Sequence, residues 1–289
     1  MAPDLEHHFV PTNGLTLHVV QCGPPGGPLV VLLHGFPEFW VSWRQQIQVL
    51  AAAGYRVWAP DQRGYNLSDR PGRVRDYAID QLAADIIGLL DAAGAAQAVI
   101  VGHDWGAAVA WHLAARHPGR IRRTAVLNVP HPLVFGRALR HSRRQLRKSW
   151  YVFFFQLPFL PEAFLRWRNF QAGRQILRSS SRRGTFSAAD LSEYTAAWAQ
   201  PGALRGMINW YRAAGRHARQ LGRAGRVAGP LLIIWGEKDA FLEADLARQS
   251  LAYCAAGQLE YLDATHWVQH EEPEKVNQLL LEFLNEQSH

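Results

Sequence analysis

The chain has 289 residues, of which 48% are hydrophobic and 11 are tryptophan, and its net charge is +7. This length allows a large buried core, and the composition is typical of a globular enzyme, not of a disordered or fibrous protein. The two cysteines, Cys22 and Cys254, lie far apart without a CxxC pattern, which excludes a disulfide framework and a cysteine zinc site.

The sequence predicts neither a signal peptide at its start nor a membrane-spanning segment. The first ten residues contain Asp4, Glu6 and a His7-His8 pair, where a signal peptide would have a basic and then an apolar segment. No uncharged run reaches the length of a membrane span. We therefore expect a cytoplasmic protein with no membrane insertion.

The positive charge is concentrated in one segment. Residues 137–226 hold 18 Lys/Arg and 3 Asp/Glu, a net +15, whereas the rest of the chain holds 13 and 21, a net −8. The same segment holds 14 of the 32 Phe, Trp and Tyr residues. This shift predicts a cap module at 137–226, inserted into a core formed by 1–136 and 227–289. Because such charge is more often a solvated face than a nucleic-acid site, we expect no nucleic-acid partner.

Strands and helices alternate along the core, which predicts an α/β fold with a mostly parallel sheet flanked by helices. Predicted strands cover residues 15–21, at an edge of the sheet, and 29–33, 55–59, 99–101, 122–128, 231–235 and 259–262. Predicted helices cover residues 43–53, 79–93 and 273–284, and a further helix follows residue 104. Ser42 is predicted to cap the first of these helices. In the cap, helices are predicted at 150–156, 162–170, 188–199 and 203–214, whereas Pro130 and Pro132 should stop regular structure.

The sharpest local signal is Gly102-His103-Asp104-Trp105-Gly106, which follows an apolar β-branched strand and runs into a helix. Glycines on both sides allow the close backbone approach of a tight turn that pushes its central residue outward. Turns of this type often carry a nucleophilic serine, but here the residue is Asp104. A carboxylate can attack an electrophilic carbon without a base and form an ester. The alternative is a simple helix N-cap.

Two further polar residues follow predicted buried strands. Asp239 comes after the strand at 231–235, and His266 comes after the strand at 259–262. Alone, Asp239 could be a turn residue and His266 an ordinary loop histidine. Because the carboxyl ends of parallel strands share one edge of the sheet, the three residues together predict a nucleophile, acid and histidine triad.

These motifs resemble those of the epoxide hydrolases with an α/β-hydrolase fold, which are related to the haloalkane dehalogenases. The resemblance covers nearly the whole chain. Besides the turn at Asp104, it rests on His34-Gly35-Phe36-Pro37-Glu38, residues 61–69, Asn128-Val129-Pro130-His131-Pro132, Gly236-Glu237-Lys238-Asp239 and His266-Trp267.

The resemblance implies a role for each residue of the site. Asp104 would be the nucleophile, His266 would activate water, and Asp239 would orient the histidine. The backbone amides of Phe36 and Trp105 would form an oxyanion hole. Tyr151 and Tyr194 are similar in position to the family's pair of lid tyrosines. Tyr211 is the alternative to Tyr194 as the second member of this pair. Candidate substrate-binding residues are His34, Pro37, Trp105, Phe155 and Trp267.

The implied reaction converts an apolar epoxide and water into a vicinal diol through a covalent aspartyl ester, with no cofactor and no metal. The pair of phenols has a physical reason, since ring opening creates an alkoxide that needs hydrogen-bond donors. A tyrosine hydroxyl is neutral at pH 7 and supplies one without the desolvation cost of a buried lysine.

Two other functions are compatible with the same residues. A haloalkane dehalogenase would use Asp104 and His266 but would hold a departing halide with aromatic N–H donors, for which Trp105, Trp150, Trp167 and Trp198 are candidates. A non-catalytic member of the fold could bind an anionic surface through the basic run from Arg137 to Lys148. The cap is also a candidate interface for a homodimer.

Overall fold

An eight-stranded sheet forms the centre of the computed structural model, which describes residues 4–217 and 225–286. The strands are β1 (Glu6–Thr12), β2 (Leu15–Cys22), β3 (Leu29–Leu33), β4 (Arg56–Pro60), β5 (Ala98–His103), β6 (Ile121–Leu127), β7 (Val227–Gly236) and β8 (Cys254–Leu262). Their spatial order is β1-β2-β4-β3-β5-β6-β7-β8. Strand β2 is antiparallel to both of its neighbours, β1 and β4. The six strands from β3 to β8 are all parallel to one another.

Helices cover both faces of this sheet. Those of the core are α1 (Arg44–Ala52), α2 (Ile79–Ala92), α3 (Trp105–Arg116), and, after the cap, α10 (Asp245–Ser250), α11 (Val268–Glu271) and α12 (Pro273–Asn285). Apolar residues of α1 and α12 pack on one face of the sheet, and those of α2 and α3 pack on the other. The central strand β3 is therefore buried along its whole length, as its continuous apolar run predicts.

The cap is inserted between β6 and β7. Its helices are α4 (Pro132–His141), α5 (Arg143–Lys148), α6 (Trp150–Phe154), α7 (Leu160–Ser180), α8 (Ala188–Ala199) and α9 (Ala203–Arg216). The backbone of α7 leaves the helical conformation at residues 167–170. The proposed cap boundary at 136/137 falls inside α4, and the one at 226/227 directly precedes β7. Residues 218–224 of the predicted cap, 1–3 and 287–289 lie outside the described residues.

Three local features differ from the sequence predictions. Strand β1 was not predicted, and because it pairs with β2, residues 15–21 are not at the edge of the sheet. Most side chains of β1 are exposed, so an edge strand of this kind needs no apolar alternation. Helix α1 begins after a 3-10 turn (Trp40–Trp43), and Ser42 makes no capping hydrogen bond.

Helix α4 begins at Pro132. The sequence had predicted that Pro130 and Pro132 would stop regular structure. Pro132 lies in the first turn of α4, where its missing N–H removes no intrahelical bond. The His131 side chain accepts a hydrogen bond from the Leu133 amide, and Ser142 caps α5 in the same way through the Gln145 amide. Among the described residues, no helix is both long and apolar enough to cross a bilayer.

Candidate active site

A tight turn between β5 and α3 presents Asp104. Its φ of +49° and ψ of −123° are unusual for a residue with a side chain. A Cβ on Gly106 would lie 2.0 Å from the Leu33 carbonyl oxygen, and one on Gly102 would lie 2.4 Å from the Gly106 carbonyl oxygen. Only glycine therefore fits on both sides, which explains the spacing that the sequence shows.

The two carboxylate oxygens of Asp104 have different surroundings. Oδ1 accepts a hydrogen bond of 2.6 Å from the backbone N–H of Phe36. Oδ2 lies 3.7 Å from Nε2 of His266. The amide of Trp105 begins α3 directly after the carboxylate. One oxygen is thus held by a backbone donor, and the other is paired with the imidazole.

The opposite side of the His266 ring contacts Asp239. His266 Nδ1 lies 2.7 Å from Asp239 Oδ2, which also accepts a 2.7 Å hydrogen bond from Asn128 Nδ2. Asp239 Oδ1 accepts from the amides of Phe241 and Leu242. Burial works to raise the pKa of the Asp239 carboxyl, but the charge of His266 and these donors hold that pKa below its usual value. The structure therefore brings Asp104, Asp239 and His266 together.

The charges around His266 determine its protonation. Burial works to lower the pKa of the imidazole, but the two carboxylates outweigh it and raise the pKa to about 10. At neutral pH the ring is therefore an imidazolium, and removal of the Asp104 charge would lower its pKa and let it lose a proton and act as a base.

An apolar cavity of about 90 Å³ opens next to Asp104 and His266. It is lined by Phe36, Pro37, Asp104, Trp150, Tyr151, Phe154, Phe155, Phe164, Leu165, Ile176, Tyr211, Phe241, His266 and Trp267. Three of the candidate substrate-binding residues, Pro37, Phe155 and Trp267, are in this lining. His34 is not, because its buried ring accepts a hydrogen bond from the Gln62 amide and supports the loop. The Trp105 side chain also lies outside the lining.

The two tyrosines that line the cavity with Asp104 are Tyr151 and Tyr211, whose ring centroids are 6.0 Å apart. Burial raises the pKa of both hydroxyls above the ordinary value, and the negative charge of Asp104 acts in the same direction. Both are therefore protonated donors at neutral pH. The expectation for Tyr194 is corrected, since its hydroxyl donates a 2.8 Å hydrogen bond to Glu38 Oε1, away from the cavity.

Glu38 is the centre of a buried polar cluster that the sequence did not predict as a unit. Its carboxylate contacts His270 Nε2 at 2.6 Å and His103 Nδ1 at 3.1 Å, and it accepts a hydrogen bond from Gln269. Burial works to raise the pKa of Glu38, but the two histidines hold it far below its usual value. His103 Nε2 lies 2.8 Å from the backbone oxygen of His266, so the cluster supports the loop that carries His266.

Comparisons with known proteins agree with the fold. A family model described as the alpha/beta hydrolase fold matches residues 28–273. The chain belongs to the α/β hydrolase fold family. The family predicted from the motifs is thus confirmed.

Relatives of this α/β hydrolase extend over nearly its full length. It is 47% identical to the AB hydrolase superfamily protein YfhM of Bacillus subtilis, over 96% of this chain and 98% of that one. It is 40% identical to Epoxide hydrolase 4 of Mus musculus, over 96% of this chain and 78% of that one. A mutant of an epoxide hydrolase from Bacillus megaterium superimposes with a TM-score of 0.89 at 31% identity, over 96% and 100% of the two chains.

The charged side chains at the site of this α/β hydrolase contact one another, and those that the structure describes do not form a metal site. Within the described ranges, no group of three or more His, Cys, Asp and Glu side chains is placed to hold a metal ion. The acidic and basic groups at the site contact one another: Asp239 with His266, and Glu38 with His103 and His270.

Proposed function

We propose that this α/β hydrolase is an epoxide hydrolase that converts an apolar epoxide to a vicinal diol through an ester on Asp104. The observation that carries the proposal is the pairing of a carboxylate with two protonated phenols, Tyr151 and Tyr211, in one apolar cavity. A carboxylate can attack the ring carbon, and the phenols can stabilise the oxygen that leaves it.

The first step is alkylation of Asp104. Oδ2 attacks an epoxide carbon, the carbon–oxygen bond of the ring breaks, and its electron pair moves to the epoxide oxygen. Tyr151 and Tyr211 hydrogen bond this oxygen, and one of them gives it a proton, because an alkoxide is a stronger base than even a buried phenolate. Oδ1 keeps its hydrogen bond to the Phe36 amide and becomes the ester carbonyl.

The second step depends on the change in charge at Asp104. The ester is neutral, so one of the two carboxylates that raise the pKa of His266 is lost, and the imidazolium releases its proton to the phenolate that the first step left. Neutral His266, oriented by Asp239, then takes a proton from water, and the hydroxide attacks the ester carbon. The amides of Phe36 and Trp105 bind the oxyanion on Oδ1. The diol oxygen leaves with the proton from His266. The carboxylic acid formed on Asp104 then gives its proton to His266, so the carboxylate and the imidazolium are regenerated, and Asp104 carries an oxygen from water.

The substrate class follows from the cavity. Apart from Asp104, His266 and the two phenols, its lining consists of apolar and aromatic side chains. A volume of about 90 Å³ favours small molecules. An epoxide with a short alkyl or aryl substituent therefore fits better than a charged one.

The dehalogenase alternative needs indole N–H donors that are free to bind a halide. Trp198 Nε1 donates to the Pro37 carbonyl, and Trp267 Nε1 donates to Ser180 Oγ at 2.9 Å. Among the cavity-lining tryptophans, Trp150 is 62% exposed at the mouth, far from the enclosed setting that a departing halide needs. The hydroxyls of Tyr151 and Tyr211 therefore favour epoxide opening over halide release.

The test is turnover of a panel containing styrene oxide, propylene oxide, 1-chlorobutane and 1-bromobutane by the wild type and by Asp104→Ala. We expect diol from the epoxides, no halide release, and loss of diol formation in Asp104→Ala. Halide release without diol would favour the dehalogenase. No turnover of any epoxide would contradict the proposal and favour a binding protein. Equal rates of diol formation in the wild type and Asp104→Ala would contradict an ester on Asp104.

A further inference from the structure

The exposed apolar side chains of the chain are unevenly distributed. Among the described residues, 11 large apolar side chains are exposed, and 8 of them belong to residues 146–167 of the cap. Phe159 is 83% exposed, Trp150 62%, Trp167 58% and Phe153 54%. Contiguous exposed patches of this kind mark binding surfaces more often than scattered single residues do. We call the exposed apolar side chains of residues 146–167 the apolar rim.

The apolar rim borders the entrance to the active-site cavity. The ring of Trp150 lies 6.0 Å from that of Phe154, which in turn lies 5.8 Å from that of Phe164. These three residues line the cavity, while Trp150 and Phe164 are also exposed at the surface. A molecule bound to the rim would therefore lie next to the cavity mouth.

Positive charge accompanies the apolar rim. Residues 137–180 contain ten Lys/Arg and one acid, Glu162, which is bound to Arg212 at 2.6 Å. Arg143, Arg147, Arg166 and Arg168 are exposed, and no carboxylate in the part of the chain that the structure describes pairs with them. The Arg168 guanidinium lies 4.5 Å from the Trp167 ring, so charge and aromatic surface are adjacent.

We propose that the apolar rim and its arginines dock on an anionic lipid surface. A second copy of this chain docked cap to cap would bring like charges together, whereas an anionic bilayer supplies negative charge and an apolar layer beneath it. Tryptophan and phenylalanine enter the interface between headgroups and acyl chains, while arginine remains at the headgroups. The contact is peripheral, and it places the cavity mouth where apolar molecules dissolved in the bilayer are concentrated.

Vesicle sedimentation tests this binding without any substrate, so its result is separate from that of the proposed activity. The full chain is mixed with the probe, which is vesicles of phosphatidylcholine alone or of phosphatidylcholine with about 30 mol% of the anionic lipid phosphatidylglycerol. We expect binding to the anionic vesicles, weakened by salt, and little binding to the neutral ones.

Matched variants identify the surface. Each arginine near an anionic bilayer contributes about fivefold to partitioning, so Arg143→Gln/Arg147→Gln should weaken binding by about 25-fold. Phe153→Ser/Phe159→Ser should weaken it by a similar factor, about 10- to 30-fold, through lost apolar burial. The controls Arg73→Gln/Arg75→Gln and Phe9→Ser remove exposed residues of the core and should bind as the wild type does.

Three results would overturn the assignment to lipid. The first is binding to anionic vesicles that is no stronger than to neutral ones. The second is equal loss in the cap variants and the core controls. The third is a dimer in analytical ultracentrifugation that Phe153→Ser/Phe159→Ser dissociates, since the occupant of the apolar rim would then be a second copy of the chain.

Discussion

His266 Nε2 lies 3.7 Å from Asp104 Oδ2, at the distance of an ion pair and beyond that of an ordinary hydrogen bond. The imidazole is therefore paired with the same carboxylate that is proposed to attack the substrate. In the proposed reaction, the imidazolium charge would stabilise the Asp104 carboxylate before the attack, and the loss of the carboxylate's charge would free His266 to act as a base afterwards. This relationship links the two steps of the reaction and leads to the first two predictions.

The free energy of unfolding should depend on the protonation of His266. Its pKa is raised from 6.5 to about 10, so the imidazolium stabilises the fold fully below pH 6.5 and this stabilisation is lost as the pH rises towards 10. The His266 contribution should fall by at most about 1.4 kcal/mol per pH unit in this window. Urea unfolding of the wild type and His266→Gln from pH 6 to 10 measures it as a difference. Parallel curves for the two proteins would show that His266 is not stabilised as a cation.

His266→Gln should separate alkylation from hydrolysis. The variant keeps Asp104 and the two phenols, so the ester can form, but it lacks the base that activates water. Steady-state turnover should fall by about 10²- to 10⁴-fold. Mass spectrometry of the intact protein after mixing with styrene oxide should show one added substrate mass. His8→Gln, which changes an exposed histidine, is the control and should turn over as the wild type does. Lost turnover without any adduct would argue against the ester.

The phenols should contribute differently from Tyr194, which offers a matched control. Tyr151→Phe and Tyr211→Phe each remove a donor from the cavity, and each should lower kcat/KM for an epoxide by about 10²-fold. Tyr194→Phe removes only the hydrogen bond to Glu38. It should cost about 2 kcal/mol of stability, because the acceptor is a buried carboxylate, and leave epoxide turnover nearly unchanged. A larger loss of kcat/KM in Tyr194→Phe than in Tyr211→Phe would reverse the assignment.

Glu38→Gln tests whether the buried cluster supports the catalytic loop. The substitution keeps the shape of the side chain but removes the charge that His270 and His103 contact. We expect the free energy of unfolding to fall by about 3 kcal/mol. Since His103 contacts the backbone of His266, kcat should also fall while KM changes little. Glu274→Gln, at an exposed site, is the control in urea unfolding and in turnover. Equal stability of the two variants would contradict a supporting role.

The sequence was most informative where the geometry is local to a strand end. Asp104, Asp239 and His266 each follow a parallel strand, and the order of those strands brings them to one edge of the sheet. Gly102 also predicted the tight turn, because a Cβ there would meet the Gly106 carbonyl within the same turn, whereas the contact that requires glycine at 106 is with the Leu33 carbonyl, far away in the sequence.

The second phenol could not be chosen from sequence, because two cap helices carry the same pattern. Leu191, Tyr194 and Trp198 on α8 have a spacing of three and four residues, and so have Leu204, Met207 and Tyr211 on α9. Each spacing predicts a helix face directed inward. What distinguishes them is the position of Glu38, which lies in a different part of the chain and accepts the hydroxyl of Tyr194.

The polar cluster around Glu38 was missed for a related reason. His103, Gln269 and His270 come from the turn before Asp104 and from the segment after His266, and only the folded chain shows that all contact one carboxylate. The available signal was the presence of Glu38 and His103 inside the two glycine-containing turn motifs. Polar residues that follow buried strands and have no catalytic role are candidates for such support.

The most direct test of the central claim is a single turnover in ¹⁸O-labelled water, with wild-type enzyme in excess over styrene oxide. If Asp104 attacks the epoxide, the diol of the first turnover contains no label, and the label is found in the peptide that carries Asp104. Label in the first-turnover diol, with none in that peptide, would show that water attacks the epoxide directly and would contradict the covalent route.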